Sequence, residues 1–189
     1  LWHNLALCYI ETDSLDQADS ITDIIIRRWA KQADGYTLKA QVFLQRNDTA
    51  AAETYIDKAI EADKYNIGAH TAKANILMSH EQYNEAIQHF DESLRLNPKQ
   101  ANTLINRALC HYHLNHYRDA MADYDRALDL EPKNFIGHYN RGLLRANVGE
   151  DNLAIEDFNF ILSIDPDDMM ATFNRATLLE NIGDYRGAI

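Results

Sequence analysis

Residues 120–132 read AMADYDRALDLEP, and the same outline returns as AIQHFDESLRLNP at 86–98 and as AIEDFNFILSIDP at 154–166. Each copy begins with alanine, has an aromatic residue four positions later and ends with proline. The first residues of the copies belong to a ladder of alanines with a step of 34 residues: Ala18, Ala52, Ala86, Ala120, Ala154 and Ala188. A second ladder of small residues keeps the same step: Ala6, Ala40, Ala74, Ala108, Gly142 and Ala176. A constant period of this length predicts a solenoid built from repeated helical units.

We number the repeat so that the second ladder is position 8 and the first ladder is position 20. One array then covers residues 1–189, with the units 1–32 (partial), 33–66, 67–100, 101–134, 135–168 and 169–189 (partial). Position 32 is proline in three units, where it ends a helix because it lacks an N–H donor: Pro98, Pro132 and Pro166. Position 15 holds mostly turn-forming residues: Asp13, Asn47, Glu81, Asn115, Gly149 and Gly183. Each unit is therefore predicted to form helix A at positions 1–14 and helix B at about positions 18–31.

The chain resembles the tetratricopeptide repeat family over its whole length. The first unit matches that family's helix-A signature at Trp2, Leu5, Ala6 and Tyr9. Later units match its helix-B signature, as in Ala120, Tyr124, Ala127 and Pro132. The pattern departs at position 4, which is His70, His138 or Thr172 in three units. The resemblance implies an all-α, tetratricopeptide-type α-solenoid, a right-handed superhelix of helix-turn-helix repeats in which helix-A residues line a concave groove.

By this resemblance, the groove would hold a peptide segment or a helix of a partner protein. Its polar residues are the asparagines at position 6: Asn75, Asn106, Asn140 and Asn174. Its apolar residues are Ile105, Leu109, Tyr112, Tyr139, Leu143 and Phe173. An asparagine amide can both donate to and accept from a peptide backbone, whatever the ligand's sequence. The alternative is that these asparagines only bond neighbouring helices.

The family's chaperone-binding subclass grips a C-terminal carboxylate with cations at fixed positions of the groove. Here the corresponding positions are Thr71, Asn75, Asn106, Ile136 and Asn140, which include no cation. Binding of chaperone tails is therefore not expected.

Position 7 holds a cation in five units: Lys39, Lys73, Arg107, Arg141 and Arg175. These cations could form a track for an acidic ligand, or they could pair within the chain. Arg107 and Arg141 each have an aspartate at position 23 of their own unit, Asp123 and Asp157. This coincidence favours arginine–aspartate pairs that join helix A to helix B.

Neither metal binding nor catalysis is expected. On a single helix, residues two apart point to different faces, so His111 and His113 cannot easily share an ion. His113 and His116 are better spaced, but no carboxylate or thiolate obviously completes a site with them. The chain has no glycine-rich phosphate loop and no nucleophile–base–orienter set. We therefore predict a protein that is not an enzyme and has no cofactor.

Composition excludes further classes of function. A net charge of −11 is unsuited to nucleic acid, whose phosphates attract a basic surface. No apolar run approaches the roughly 18 residues that span a bilayer. Cys8 and Cys110 lie three repeats apart, too far for a disulfide, so both should be free thiols. Free thiols, together with the absence of a recognisable signal peptide, favour the cytoplasm, although the chain does not begin with Met and an upstream segment could have been removed.

These observations predict a non-catalytic module for protein–protein interaction that binds its partner in the groove. Two alternatives are self-association through uncapped ends of the solenoid and a recruiting arm of a larger enzyme. The triplets at 106–108, 140–142 and 174–176 (NRA, NRG and NRA) look like those of bacterial members of the family.

Overall fold

The computed structural model describes residues 1–29, 32–184 and 187. Within these residues the chain forms eleven α-helices and no strand. They are α1 (Trp2–Glu11), α2 (Leu15–Arg28), α3 (Ala33–Gln45), α4 (Thr49–Ala62), α5 (Ile67–Ser79), α6 (Tyr83–Leu96), α7 (Ala101–His113), α8 (Tyr117–Leu130), α9 (Phe135–Asn147), α10 (Asp151–Ile164) and α11 (Met169–Asn181). The odd-numbered helices are helix A of successive units and the even-numbered ones are helix B, which confirms the predicted all-α solenoid.

The turn that ends helix A has the same backbone at position 15 of every repeat. All six residues at position 15 have a left-handed backbone, with φ between 55° and 82°. In the third unit, the N–H groups of Glu81 and Gln82 donate to the carbonyls of Met78 and Leu77, which is the Schellman pattern. Position 15 thus closes helix A and reverses the chain, as the turn-forming residues there predict.

The second boundary, between helix B and the next helix A, is set by capping residues and by proline. Helices α6, α8 and α10 each end two residues before the proline at position 32. Three helices of type A begin with a side-chain cap in which an aspartate or asparagine oxygen accepts a backbone N–H: Asn66 caps α5, Asn134 caps α9 and Asp168 caps α11. Asp48 caps α4, a helix B, in the same way.

The chain divides into two compact units, Leu1–Pro98 and Lys99–Ile189. We call these two unit 1 and unit 2; each contains several of the 34-residue repeats. In unit 1, α1 packs on α3 and α3 on α5, in addition to the packing of consecutive helices. In unit 2, α7 packs on α9 in the same way. Helix A therefore stacks on helix A within each unit. The prediction of a single array over residues 1–189 stays a prediction.

The small-residue ladders lie at the centre of the packing except at Ala176, which is half-buried. The five described alanines at position 20 are completely buried: Ala18, Ala52, Ala86, Ala120 and Ala154. The sixth, Ala188, lies outside the described residues. At Gly142 of the second ladder, a Cβ atom would stand 3.1 Å from the ring of Phe158, so a larger residue there would press on α10. Small residues at these positions let the paired helices approach, as expected.

Candidate functional site

In unit 2, the predicted groove residues come from three helices of type A. Helix α7 carries Ile105, Asn106, Leu109 and Tyr112; helix α9 carries Tyr139, Asn140 and Leu143; helix α11 carries Phe173 and Asn174. Most of these side chains are half-buried. Asn75 belongs to unit 1, where it lies on α5 and is exposed.

Four of the predicted residues surround one small cavity, which we call the Asn140 cavity. It has a volume of about 30 Å³ and is lined by Leu109, Tyr112, Tyr124, Asn140 and Leu143. This volume suits a methyl-sized group or one water molecule. Tyr124 comes from helix B and is almost completely buried. The sequence pattern placed it in the helix-B signature and did not reveal that it lines a cavity.

Asn140 is the polar group of this cavity. Its side chain is half-buried, and within the described residues it makes no hydrogen bond. A half-buried amide with unused donors and an unused acceptor loses part of its hydration without compensation from the protein.

Asn174 is used differently. Its side-chain nitrogen donates to the backbone oxygen of Met170 at 2.8 Å and to the hydroxyl of Tyr139 at 3.4 Å. This asparagine thus helps to join α11 to α9, which is the structural role left open by the sequence. Asn106 also has interactions within the chain.

Ile105 differs from the expectation for a groove residue. It is only 3% exposed, and its δ-methyl group lies 3.4 Å from the place that a Cβ on Gly137 would take. Because Gly137 has no side chain, Ile105 can fill the space between α7 and α9. It therefore belongs to the core and is not accessible to a partner. At the other extreme, Phe173 is 69% exposed on α11.

The cations at position 7 are engaged within the chain. Arg107 donates two hydrogen bonds to Asp123, at 2.6 and 2.7 Å, and Arg141 donates two to Asp157, at 2.7 and 3.1 Å. These contacts confirm the predicted pairs between helix A and helix B. Burial disfavours the charge of Arg141, but its hydrogen bonds to carboxylates outweigh burial and raise its pKa.

Several of the position-7 cations also bond the residue at position 25 of the preceding repeat, a partner that the sequence did not reveal. Lys39 bonds Asp23 and Lys73 bonds Asp57, each at 2.8 Å, and Arg141 bonds Asp125 at 2.8 Å. Where that position is an asparagine, Arg175 lies 3.3 Å from the oxygen of Asn159. A comparison of neighbouring units, position 7 against position 25, could have revealed this pairing. Lys39, Lys73, Arg141 and Arg175 therefore tie their repeats to the preceding one, which leaves the idea of a cationic track without support.

The turn between α7 and α8 brings together His111, His116 and Asp119. Their ligand-type atoms all lie within 4.8 Å of one another. Sequence spacing pairs His111 with His113 and His113 with His116, but it does not indicate the set of His111, His116 and Asp119. His113 is not a member of it.

Both cysteines are free thiols, as predicted. Cys8 is exposed, whereas Cys110 is buried, and burial raises the pKa of the Cys110 thiol to about 12. Among the described helices, none combines the length and the apolar character needed to cross a bilayer.

Comparisons with known proteins agree with this architecture. Sequence models of the tetratricopeptide repeat match residues 33–66, 67–100 and 101–134, which together make up more than half of the chain. The chain therefore belongs to the tetratricopeptide repeat family. Members of this family are generally scaffolds for protein–protein interaction. No curated protein sequence matches the chain significantly.

Solved structures show the same fold at low sequence identity. PilF of Pseudomonas aeruginosa superposes with a TM-score of 0.87 at 18% identity, covering 99% of this chain and 85% of PilF. PilW, a type IV pilus biogenesis factor, has a TM-score of 0.85 at 14% identity, covering 99% of this chain and 87% of PilW. YrrB, a tetratricopeptide repeat protein with an unusual peptide-binding site, has a TM-score of 0.79 at 21% identity, covering 89% of this chain and 87% of YrrB. These likenesses concern the fold.

Proposed function

We propose that unit 2 binds an extended segment of a partner protein along α7, α9 and α11, and that it does so without a catalytic step. The observation that carries this proposal is the Asn140 cavity, in which an amide with no hydrogen bond among the described residues stands beside apolar side chains. A bound peptide would supply both the hydrogen-bond partners and the small apolar group that this cavity lacks. Its backbone supplies a donor and an acceptor for the amide, and a small side chain fills the space between Leu109 and Leu143.

The surroundings of the cavity favour a ligand with an apolar anchor. Tyr112 and Tyr139 are half-buried, so each has an exposed part that a ligand can cover. Phe173, which is largely exposed, adds an aromatic contact surface on α11. Aromatic side chains bury much area at little conformational cost, which makes them efficient contacts for a peptide. The expected ligand is an extended segment with a small apolar residue at its centre.

Peptide display tests this proposal while the natural partner is still unidentified. A library of random linear peptides is selected on the full chain, and the dissociation constants of the selected peptides are measured by fluorescence anisotropy. Asn140→Ala should weaken binding roughly tenfold, because it removes the hydrogen bonds to the ligand backbone. Asn147→Ala is the matched control, since Asn147 is exposed at the C-terminal end of the same helix.

Asn140 is a better choice than the other asparagines. Asn174→Ala would also remove the contact with Tyr139, so a loss of binding could come from a shift of α11. Equal affinity of the parent, Asn140→Ala and Asn147→Ala for every selected peptide would contradict the proposal.

Self-association is a second candidate, favoured by the apolar surface of α11. Met169 is 83% exposed and Met170 and Phe173 are also largely exposed, so three large apolar residues lie on one short helix. Light scattering after size-exclusion chromatography would then show a mass that rises with concentration, and Met169→Lys would abolish the rise. A constant monomeric mass would exclude this candidate.

A further inference from the structure

The turn between α7 and α8 holds three potential metal ligands in a fixed arrangement. Asn115, with φ of 61°, reverses the chain there, and the N–H of His116 donates to the carbonyl of His111 at 2.8 Å. The last turn of α7 is thus fastened to the first turn of α8. As a result, one ring nitrogen from each histidine and one carboxylate oxygen of Asp119 lie within 4.8 Å of one another.

The Nδ1 atom of His111 is buried and has no hydrogen-bond partner among the described residues. A buried nitrogen without a partner loses its hydration and gains nothing in return. A metal ion bound at this nitrogen would remove that cost.

The charged and titratable groups around the ring of His111 are Asp123, Arg107, Asp119 and His116. Arg107 and Asp123 are bonded to each other, so their opposite charges largely cancel near the site.

We propose that His111, His116 and Asp119 bind one divalent transition-metal ion of the zinc class. Imidazole nitrogen suits zinc, cobalt and nickel, whereas calcium and magnesium prefer oxygen ligands only. Ligands of one such ion lie about 2 Å from the metal, so these three atoms must approach one another by rotation of side chains. His116 and Asp119 are exposed and can rotate, while the partly buried His111 provides the fixed ligand. Three protein ligands leave a fourth position for water or for a ligand from a partner.

Zinc titration tests this site on the full chain without a histidine tag. Every protein carries Cys8→Ser, because Cys8 is an exposed thiol that would compete for the ion. Affinity is measured by competition with a chromogenic zinc chelator. The parent should bind one zinc ion per chain. His116→Gln and Asp119→Asn should each weaken binding by about tenfold or more, because loss of a direct ligand should cost at least as much as loss of a group that only supports a ligand.

His113→Gln is the matched control, since His113 lies in the same turn of the chain but outside the set. It should bind zinc with the affinity of the parent. Cobalt adds a second readout, because a bound cobalt ion with imidazole ligands gives visible d–d absorption that His116→Gln should remove. Two results would overturn the proposal: no binding by the parent at submillimolar zinc, or equal weakening by His113→Gln and His116→Gln. Circular dichroism of each variant shows that the helices are intact.

Discussion

The α5–α6 hairpin of unit 1 and the α9–α10 hairpin of unit 2 begin alike and then diverge. Both carry a histidine at position 4, and in both its Nε2 atom lies at hydrogen-bond distance from a carbonyl six residues earlier. The distances are 3.0 Å from His70 to Lys64 and 3.1 Å from His138 to Pro132. The residue that faces the other ring nitrogen differs. In unit 1 it is His89 at 3.0 Å, and in unit 2 it is Asp157 at 2.7 Å.

Because of this difference at position 23, the interior of the α9–α10 hairpin contains an acid where the α5–α6 hairpin has a histidine. Asp157 is only 2% exposed and accepts hydrogen bonds from Arg141 and Arg145 as well as from His138. In unit 1, Lys73 has no acid at position 23 of its own repeat and bonds Glu53 and Asp57 of the preceding helix. Repeats with the same backbone thus hold helix A by different contacts. In both hairpins, however, the position-7 cation also bonds the preceding helix.

Loss of Asp157 should be the most damaging change to this arrangement. Asp157→Asn leaves the side chains of Arg141, Arg145 and His138 mostly buried without their acid, so unit 2 should lose about 3–5 kcal/mol of stability. Amide hydrogen exchange should show the loss of protection in α9 and α10. Asp125→Asn is the control, since Asp125 is exposed and its pair with Arg141 should contribute less than about 1 kcal/mol. Equal losses for the two variants would show that burial of the acid is not what matters.

Acid should loosen the α5–α6 hairpin through His89. Burial lowers the pKa of His89, and nearby His70 and Lys73 lower it further, against a smaller opposite effect of Asp57. The unfolded chain therefore binds this proton more readily than the folded one. Stability from His89 is complete above its ordinary pKa of 6.5 and falls as the pH drops from there to the lowered value.

Hydrogen exchange at about pH 7.5 and about pH 5.5, corrected for intrinsic rates, measures this effect hairpin by hairpin. Protection in α5 and α6 should decrease at the lower pH. His89→Gln removes the titrating group and should make protection in these helices less dependent on pH. An unchanged dependence in that variant would assign the effect to another group.

The turns of the two hairpins provide the smallest expected effect. Both use a left-handed residue at position 15, but it is Glu81 in unit 1, with φ of 60°, and Gly149 in unit 2, with φ of 82°. Glycine adopts this conformation without steric cost, so Glu81→Gly should stabilise unit 1 and Gly149→Ala should destabilise unit 2, each by up to about 1 kcal/mol. A Cβ atom at Gly149 would meet nothing within 4 Å, so only the backbone is tested.

Urea unfolding at constant m-value measures both changes. Asn115→Gly should change stability less, because asparagine tolerates this conformation better than glutamate.

The candidate surface could be predicted only in part, and Ile105 and Asn140 show why. Both occupy helix-A positions assigned to the groove, yet Ile105 is buried and Asn140 lines a cavity. The repeat pattern treats all units as equal, whereas burial at Ile105 depends on the missing side chain of Gly137 in the next helix A. A contact between neighbouring repeats depends on two residues at once, so a position in the repeat does not determine it.

The sequence alone determined the helices, their turns and the small-residue ladders, most of which are buried among the described residues. These features have short-range causes: proline and left-handed residues end helices, and only small side chains fit where paired helices meet. The tertiary structure decided the rest. It selected the preceding helix as the partner of the position-7 cations, formed the Asn140 cavity from two helices of type A and one of type B, and brought His111 to His116 and Asp119 across a turn. Each of these depends on distances between side chains from different helices, which packing and the turns between helices set.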